Sequence, residues 1–242
     1  MSYDLTKFKH GLEELNITLT DKQTEQFLQY YEMLVEKNKV MNLTGITEYE
    51  EVIQKHFLDS LSLIRVISDI DSQKLTVIDL GAGAGFPGLP LKIAFPELEI
   101  TLMDSLNKRI LFLQEVIDAL GLKKVSAVHG RAEEMAANAA HRQQYDLCVS
   151  RAVSNLAVLT EYCLPFVKKG GLFVSYKSAD SDAEIQEGKK AISILGGKLT
   201  TVDKFQLPDS DLGRALVCIK KVKDTPKKYP RKAGTPAKLP LK

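Results

Sequence analysis

The residues with the clearest chemical potential lie in one short stretch. In VIDLGAGAGFPGLPL, Val77 to Leu91, Gly81, Gly83 and Gly85 alternate and Gly88 follows, with Asp79 just ahead of them and Asp104 placed 21 residues beyond Gly83. Glycines after a short apolar run let a ligand approach the backbone, and the free amides of such a turn can face a carboxylate or phosphate. That is the chemistry of a nucleotide cofactor. A literal G-x-G-x-x-G is present as Gly83, Gly85 and Gly88, and Asp104 stands where a nicotinamide fingerprint has its ribose-binding acid. In that fingerprint the first glycine directly follows the strand and the third fits the new helix against it. Here DLGA precedes Gly83, and Pro87 separates the later two glycines.

Counted from the strand end, the pattern is Asp79-x-Gly81-x-Gly83-x-Gly85. A carboxylate at the turn suits a cationic group better than a pyrophosphate, and S-adenosylmethionine carries both an ammonium and a sulfonium. Asp104, at the end of the next strand, is suited to accept hydrogen bonds from ribose hydroxyls in either cofactor class. Asp79 therefore discriminates between the two classes, and Asp104 does not.

The elements that must position these residues follow from periodicity. TDKQTEQFLQYYEMLVEKN opens with a capping box, Thr20 with Gln23, and repeats Phe27, Tyr31, Leu34 and Val35 at helical spacing. Glu48 to Ser68 places Ile53, Phe57, Leu61 and Ile64 on one helical stripe, and NLTGIT between the two favours a tight turn. From Leu75 the pattern predicts strands over 76–80, 99–103, 125–129, 145–150 and 172–176, alternating with helices over 89–95, 106–120, 132–137, 156–167 and 183–195. Two last strands, 199–206 and 214–222, read as an antiparallel hairpin. Strand–helix alternation implies an α/β fold with a parallel, doubly wound sheet, made mixed by the hairpin.

Composition bounds the rest. The 242 residues suffice for one sizeable core or one core with a small lobe, and no apolar run approaches the length of a membrane span. The N-terminus has no apolar signal region, so a cytoplasmic, membrane-free protein is expected. Cys148, Cys163 and Cys218 are odd in number, widely spaced and in apolar contexts, which fits buried thiols. His10, His129 and His141 have no metal-like spacing, and no metal is expected. The net charge of +2 conceals an asymmetry: residues 223–242 hold seven basic side chains against one acid, a net of +6, which leaves −4 on the body. Four of the nine prolines also fall there, a composition that argues against helix or central strand. Such an arm fits a polyanionic partner or a solvated tail. The domain reading is a helical extension over 1–72, a catalytic domain over 73–222 and a basic arm over 223–242.

LGAGAGFPGLPL, NLTGI, HFLDSL, RAEE, SRAV and YPRKAGTPAKLPL together resemble the bacterial family of small-subunit (16S) ribosomal RNA guanine-N7 methyltransferases, the glucose-inhibited division protein B family. The resemblance runs from about Asn38 to the C-terminus and is looser before it. It implies a class I S-adenosylmethionine-dependent methyltransferase fold, Rossmann-like with a seven-stranded mixed sheet. It also implies S-adenosylmethionine as donor, S-adenosylhomocysteine as product, and a guanine of 16S ribosomal RNA as acceptor, with no DNA partner and a monomeric enzyme expected. By position, Gly81 and Phe86 fall on the family's cofactor loop, Ala132 and Glu133 on its adenine-side contact, and Arg151 on the contact after strand four.

Guanine N7 carries a lone pair and no proton, so methyl transfer to it needs no general base, and no catalytic base is assigned. Catalysis should come from positioning and from polar groups that tolerate the developing cation. The chain agrees by what it lacks: SRAV replaces the Asn/Asp-Pro-Pro-aromatic motif of amino-group methyltransferases, and there is no Pro-Cys or Thr-Cys nucleophile motif. Arg151 is expected to hold a phosphate, the cofactor or guanine O6, with a surface salt bridge as the plainer reading. Lys177 could hold a phosphate or be a solvated lysine. His56, Asp59 and Ser60 share a helix face and could hold RNA, but a structural cluster organising the NLT turn is the better reading, since N7 chemistry gives the pair no proton to move. Asn42 could read a base edge or cap the turn. In the arm, Lys228, Arg231, Lys232 and Lys238 are the candidates for RNA contact, and deleting residues 224–242 is expected to weaken RNA binding while leaving cofactor affinity intact. Two rival functions share the cofactor loop, a small-molecule methyltransferase and a non-catalytic RNA-binding assembly factor; a nicotinamide oxidoreductase is a more distant third.

Overall fold

The computed structural model describes residues 3–151 and 153–241. Two helices lead, α1 (Thr6–Glu14) and α2 (Asp21–Met41), and the capping box is present at the start of α2, where Thr20 Oγ1 accepts from Gln23 N and Gln23 Oε1 accepts from Thr20 N. The helical stripe from Glu48 is observed as one winding segment of four parts. These are α3 (Tyr49–Val52), a π-helical turn over Ile53–Leu58, α4 (Asp59–Leu61) and a 3₁₀ turn over Ser62–Arg65. The wide turn matters because Asp59 N bonds back to Gln54 O, five residues away.

The alternating part follows as β1 (Thr76–Leu80), α5 (Gly88–Ala94), β2 (Glu99–Asp104), α6 (Asn107–Ala119), β3 (Val125–His129), α7 (Ala132–Met135) and β4 (Tyr145–Arg151). It continues as α8 (Leu156–Cys163), β5 (Val167–Ser178), α9 (Asp182–Ile194), β6 (Gly197–Gln206), β7 (Gly213–Lys221) and α10 (Thr235–Lys238). Every strand expected from the sequence is present. β5 begins five residues earlier than expected, because Pro165 turns the end of α8 into a 3₁₀ turn and the chain extends from there. The sequence pattern missed α1.

The sheet order is β3-β2-β1-β4-β5-β7-β6, with β7 inserted antiparallel between β5 and β6. β1 and β4 are parallel, but strands are added outward in one direction up to β3 and in the other from β4, so the switch point where open α/β sheets bind ligands lies between β1 and β4. Alternate strand residues feed two cores, one on each face. Val77, Ile100, Leu102, Val149 and Val174 face α2, α5 and α6, whereas Ile78, Leu80, Cys148, Phe173 and Ile219 face α8 and α9. All three cysteines are buried in these cores.

The leading helices share the first core. Phe8 and Phe27 (centroids 5.1 Å apart), Phe27 and Phe57 (4.9 Å), and Tyr30 and Phe86 (5.5 Å) form an aromatic chain running from α1 to the glycine loop after β1. Tyr30 is fully buried and donates to Ala84 O at 2.6 Å, so α2 holds that loop from beneath.

The basic arm is ordered against the body, and it contains a helix, which its proline content had argued against. Pro236 lies in the first turn of α10, where a missing N–H is not needed.

Candidate functional site

The loop that follows β1 crosses the switch point between two clefts. The first, about 480 Å³, is lined by Gly81, Asp104, Arg109, Ala132, Glu133, Val153, Tyr162, Gly234 and Ala237 among others. The second, about 410 Å³, is lined by Ile46, Lys55, His56, Asp59, Arg151, Tyr176, Lys177, Ser178 and Arg214. They share the loop after β4: Arg151 lines one and Val153, two residues on, lines the other.

In the first cleft, Gly81 has φ +76°, and a Cβ there would meet Val153 Cγ2 at 2.5 Å, so both backbone geometry and space require glycine. Asp104, at the end of β2, accepts from Gly83 N (3.0 Å), Leu106 N (2.9 Å) and Arg109 Nη1 (3.2 Å). A carboxylate offers about four lone-pair sites, so one acceptor position remains for a hydroxyl in the cleft. Ala132 and Glu133 form the wall beyond β3, and Glu133 Oε1 accepts from Gly234 N at 2.9 Å. The glycine loop thus does part of its work internally: Gly83 fixes Asp104, and Gly85 lies against the Tyr30 hydroxyl and Leu89.

Asp79 is not among the residues lining this cleft, contrary to a direct reading of the motif. It is fully buried below the loop, with Oδ2 accepting from Gly88 N at 2.8 Å and Oδ1 without a partner. Burial pushes its pKa up to about 7, partly opposed by the Gly88 bond and the positive charge of Arg151. A Cβ at Gly88 would come within 2.8 Å of Asp79 Oδ2 and 2.3 Å of Leu102 Cδ2, so this glycine allows the aspartate to reach the amide.

The second cleft is organised by charge. Arg151 Nη1 donates to Asp59 Oδ2 (2.7 Å) and to Lys55 O (3.1 Å), while Nη2 reaches His56 Nδ1 at 3.2 Å. Arg214 Nε donates to the other Asp59 oxygen at 3.1 Å. His56 Nδ1 also lies 3.1 Å from Lys55 O, and Nε2 is hydrogen-bonded to Thr44 Oγ1 at 2.9 Å. Burial, reinforced by the Arg151 charge, lowers the His56 pKa to about 3, so the ring is neutral. Phe86 stacks on that ring at 4.4 Å and lies 5.0 Å below the Arg151 guanidinium. Phe86 is therefore attached to the second cleft and is not among the residues lining the first.

Other expectations resolve individually. Asn42 is the left-handed C-cap of α2 and exposed, whereas Asn38 shapes the NLT turn by accepting from Leu43 N and Thr44 N. His56 supports the same turn through Thr44, the structural role read from the sequence. Arg151 is in an ion pair, but an almost buried one rather than a surface contact. Lys177 is not solvated: its ammonium donates to Ser154 O at 2.7 Å and pairs with Glu184. In the arm, Lys228, Lys232 and Lys238 are exposed, but Arg231 is bound to Glu161 by Nε and Nη2 at 2.9 and 2.6 Å and is not free to meet RNA. Sequence reading missed Arg109, Val153, Tyr176, Arg214 and Glu161. Only Glu161 carried a signal, as the one charge in the apolar run LAVLTEYCLPF.

The chain is similar in sequence and in fold to known proteins. Residues 23–213 match the family model GidB, described as rRNA small subunit methyltransferase G. The chain belongs to that family. A protein of Lachnoclostridium phytofermentans named ribosomal RNA small subunit methyltransferase G is 56% identical over 238 residues, 98% of each chain. One of the same name from Alkaliphilus metalliredigens is 53% identical, over 97% of each chain. Among solved structures, TrmN from Thermus thermophilus has a TM-score of 0.52 at 15% identity, covering 68% of this chain and 48% of that one. TYW2 of M. jannaschii has a TM-score of 0.51 at 14% identity, covering 68% and 77%. At these identities the structural likeness establishes the fold alone, the class I methyltransferase arrangement. The small subunit methyltransferase G family assigns it to ribosomal RNA.

Proposed function

We propose that this member of the methyltransferase G family transfers a methyl group from S-adenosylmethionine to N7 of a guanine in 16S ribosomal RNA, with the first cleft holding the cofactor and the second the acceptor base. The observation that carries this reading is the pair of clefts at the carboxyl end of the sheet, one lined by Val153 and the other by Arg151. In-line transfer needs donor and acceptor held side by side, and the two clefts lie next to each other at the carboxyl ends of β1 and β4.

The residues present fit the donor. Gly81 lets the backbone itself line the first cleft, Asp104 keeps one acceptor position for a ribose hydroxyl, and Asp79, buried beneath the loop, supports the turn through Gly88 N. When bound, S-adenosylmethionine supplies an electrophilic methyl group. On the acceptor side, Arg151 and Arg214 are held by Asp59, which orients their remaining N–H groups and reduces the net charge facing a base that becomes cationic. His56 is neutral and committed to Thr44, in keeping with a reaction that moves no proton.

The test is transfer of labelled methyl from S-adenosylmethionine to small subunits, their bare RNA and total tRNA, all lacking the modification, followed by borohydride and aniline cleavage. Label and chain scission at one guanine of 16S RNA is the expected result. Label confined to small molecules or tRNA, or cofactor binding without turnover, rules the proposal out.

A further inference from the structure

Glu161 lies in the middle of α8 and is fully buried. A carboxylate in such a place needs cationic partners or hydrogen-bond donors. Its donors come from the C-terminal arm: Arg231 N at 2.8 Å, Nε at 2.9 Å and Nη2 at 2.6 Å. The arm is fastened upstream as well. Arg142 donates to Thr225 O at 3.0 Å and Tyr229 O at 2.9 Å, and Tyr229 is itself buried. Three residues past Arg231, Gly234 N donates to Glu133, and Gly234 and Ala237 form part of the wall of the first cleft.

From this chain of contacts we infer that the C-terminal arm is a structural wall of the cofactor cleft, in which Arg231 and Gly234 are positioning residues that set cofactor affinity. The inference rests on the first cleft being the cofactor site. It reverses the expectation that removing residues 224–242 leaves cofactor binding intact. The physical reason is that an arm joined to a buried carboxylate cannot leave without exposing an unpaired charge in the core. Glu133 faces the cleft with one oxygen fixed by the arm, so loosening the arm also releases Glu133. A cleft whose competent form is populated only part of the time binds its ligand more weakly in proportion to that population.

Calorimetric titration of the full chain with S-adenosylhomocysteine tests the inference. Arg231→Ala should raise its Kd by about tenfold or more, and KM for S-adenosylmethionine should rise with kcat at saturation little changed. Ala237→Trp, on the exposed helix α10, should also weaken binding by obstructing the cleft while leaving the melting temperature near wild type, so it decides the matter if Arg231→Ala does not fold. Conversely, saturating S-adenosylhomocysteine should slow tryptic cleavage at Lys228 and Lys232, because linkage is reciprocal. Unchanged Kd in both variants, or tryptic cleavage of the arm indifferent to the ligand, overturns the inference. Gly81→Val separates this from the assignment of the cleft. If it abolishes binding while both arm variants bind like wild type, only the arm's role falls; if it too binds like wild type, both readings fall together.

Discussion

Asp59 and Arg151 meet at 2.7 Å across the gap between the π-helical turn and the end of β4, and both are almost fully buried. Arg214 takes the second carboxylate oxygen, so one aspartate pairs with two guanidinium groups, from β4 and β7, and the cluster keeps a net positive charge. Removing one partner of such a group leaves buried charge uncompensated, at a cost of roughly 3–5 kcal/mol. Asp59→Ala should therefore lower stability by about that amount in urea denaturation and abolish most methyl transfer. A loss below about 1 kcal/mol would mean that solvent reaches the pair.

His56 should be neutral throughout the physiological range. Its pKa is lowered from 6.5 to about 3, chiefly by burial and then by Arg151. The unfolded chain binds a proton between these values and the folded one does not, so this residue's contribution to stability is lost as pH falls through that window. The imidazole resonances of His56 should show no titration between about pH 5 and 8 by NMR. A midpoint near 6.5 would disprove the buried geometry beside Arg151.

Asp79 acts in the opposite sense. Its pKa is raised from 3.8 to about 7 by burial, so the folded state holds a proton that the unfolded state has released. The stability it contributes is present below about pH 4 and is lost as pH rises through about 7. Asp79→Asn keeps an oxygen for Gly88 N but cannot ionise. Against wild type, it should gain stability across that interval, by roughly 3 kcal/mol in denaturation curves compared at the two ends. Parallel curves for the two proteins would place the Asp79 pKa near its ordinary value.

Lys228, Lys232 and Lys238 of the arm are exposed, and their proposed role is RNA contact. Each of Lys228→Ala, Lys232→Ala and Lys238→Ala should weaken RNA binding with little dependence on sequence, and reduce the slope of log K against log salt by about 1. Arg231→Ala should differ by acting on cofactor affinity, since its guanidinium is held by Glu161. Filter binding across a salt series distinguishes the two behaviours.

Tyr30 connects the leading helices to the glycine loop after β1 through its bond to Ala84 O. Tyr30→Phe preserves the ring contacts with Phe57 and Phe86 and leaves a buried carbonyl without its donor. That should cost about 1–3 kcal/mol in thermal or urea unfolding and raise KM for S-adenosylmethionine. No change in either quantity would show that the loop holds its shape without α2.

The sequence by itself determined the elements and the class of chemistry. Short apolar strands, the capping box at Thr20 and the glycine run after β1 are local signals, set by backbone sterics and side-chain type within a few residues, and they are present where the sequence puts them. The placement of individual side chains was decided by tertiary structure. Asp79, Arg151, Lys177 and Arg231 all stand in motifs that suggest a ligand, yet each is engaged by a partner distant in sequence or turned into the core. Charge desolvated by folding must find a counter-charge or donor wherever the chain brings one, and no local pattern records that Glu161 waits for Arg231 seventy residues later. For the same reason the C-terminal arm reads in the sequence as a polyanion-binding or solvated tail, and in the folded protein Gly234 and Ala237 of the arm line the first cleft.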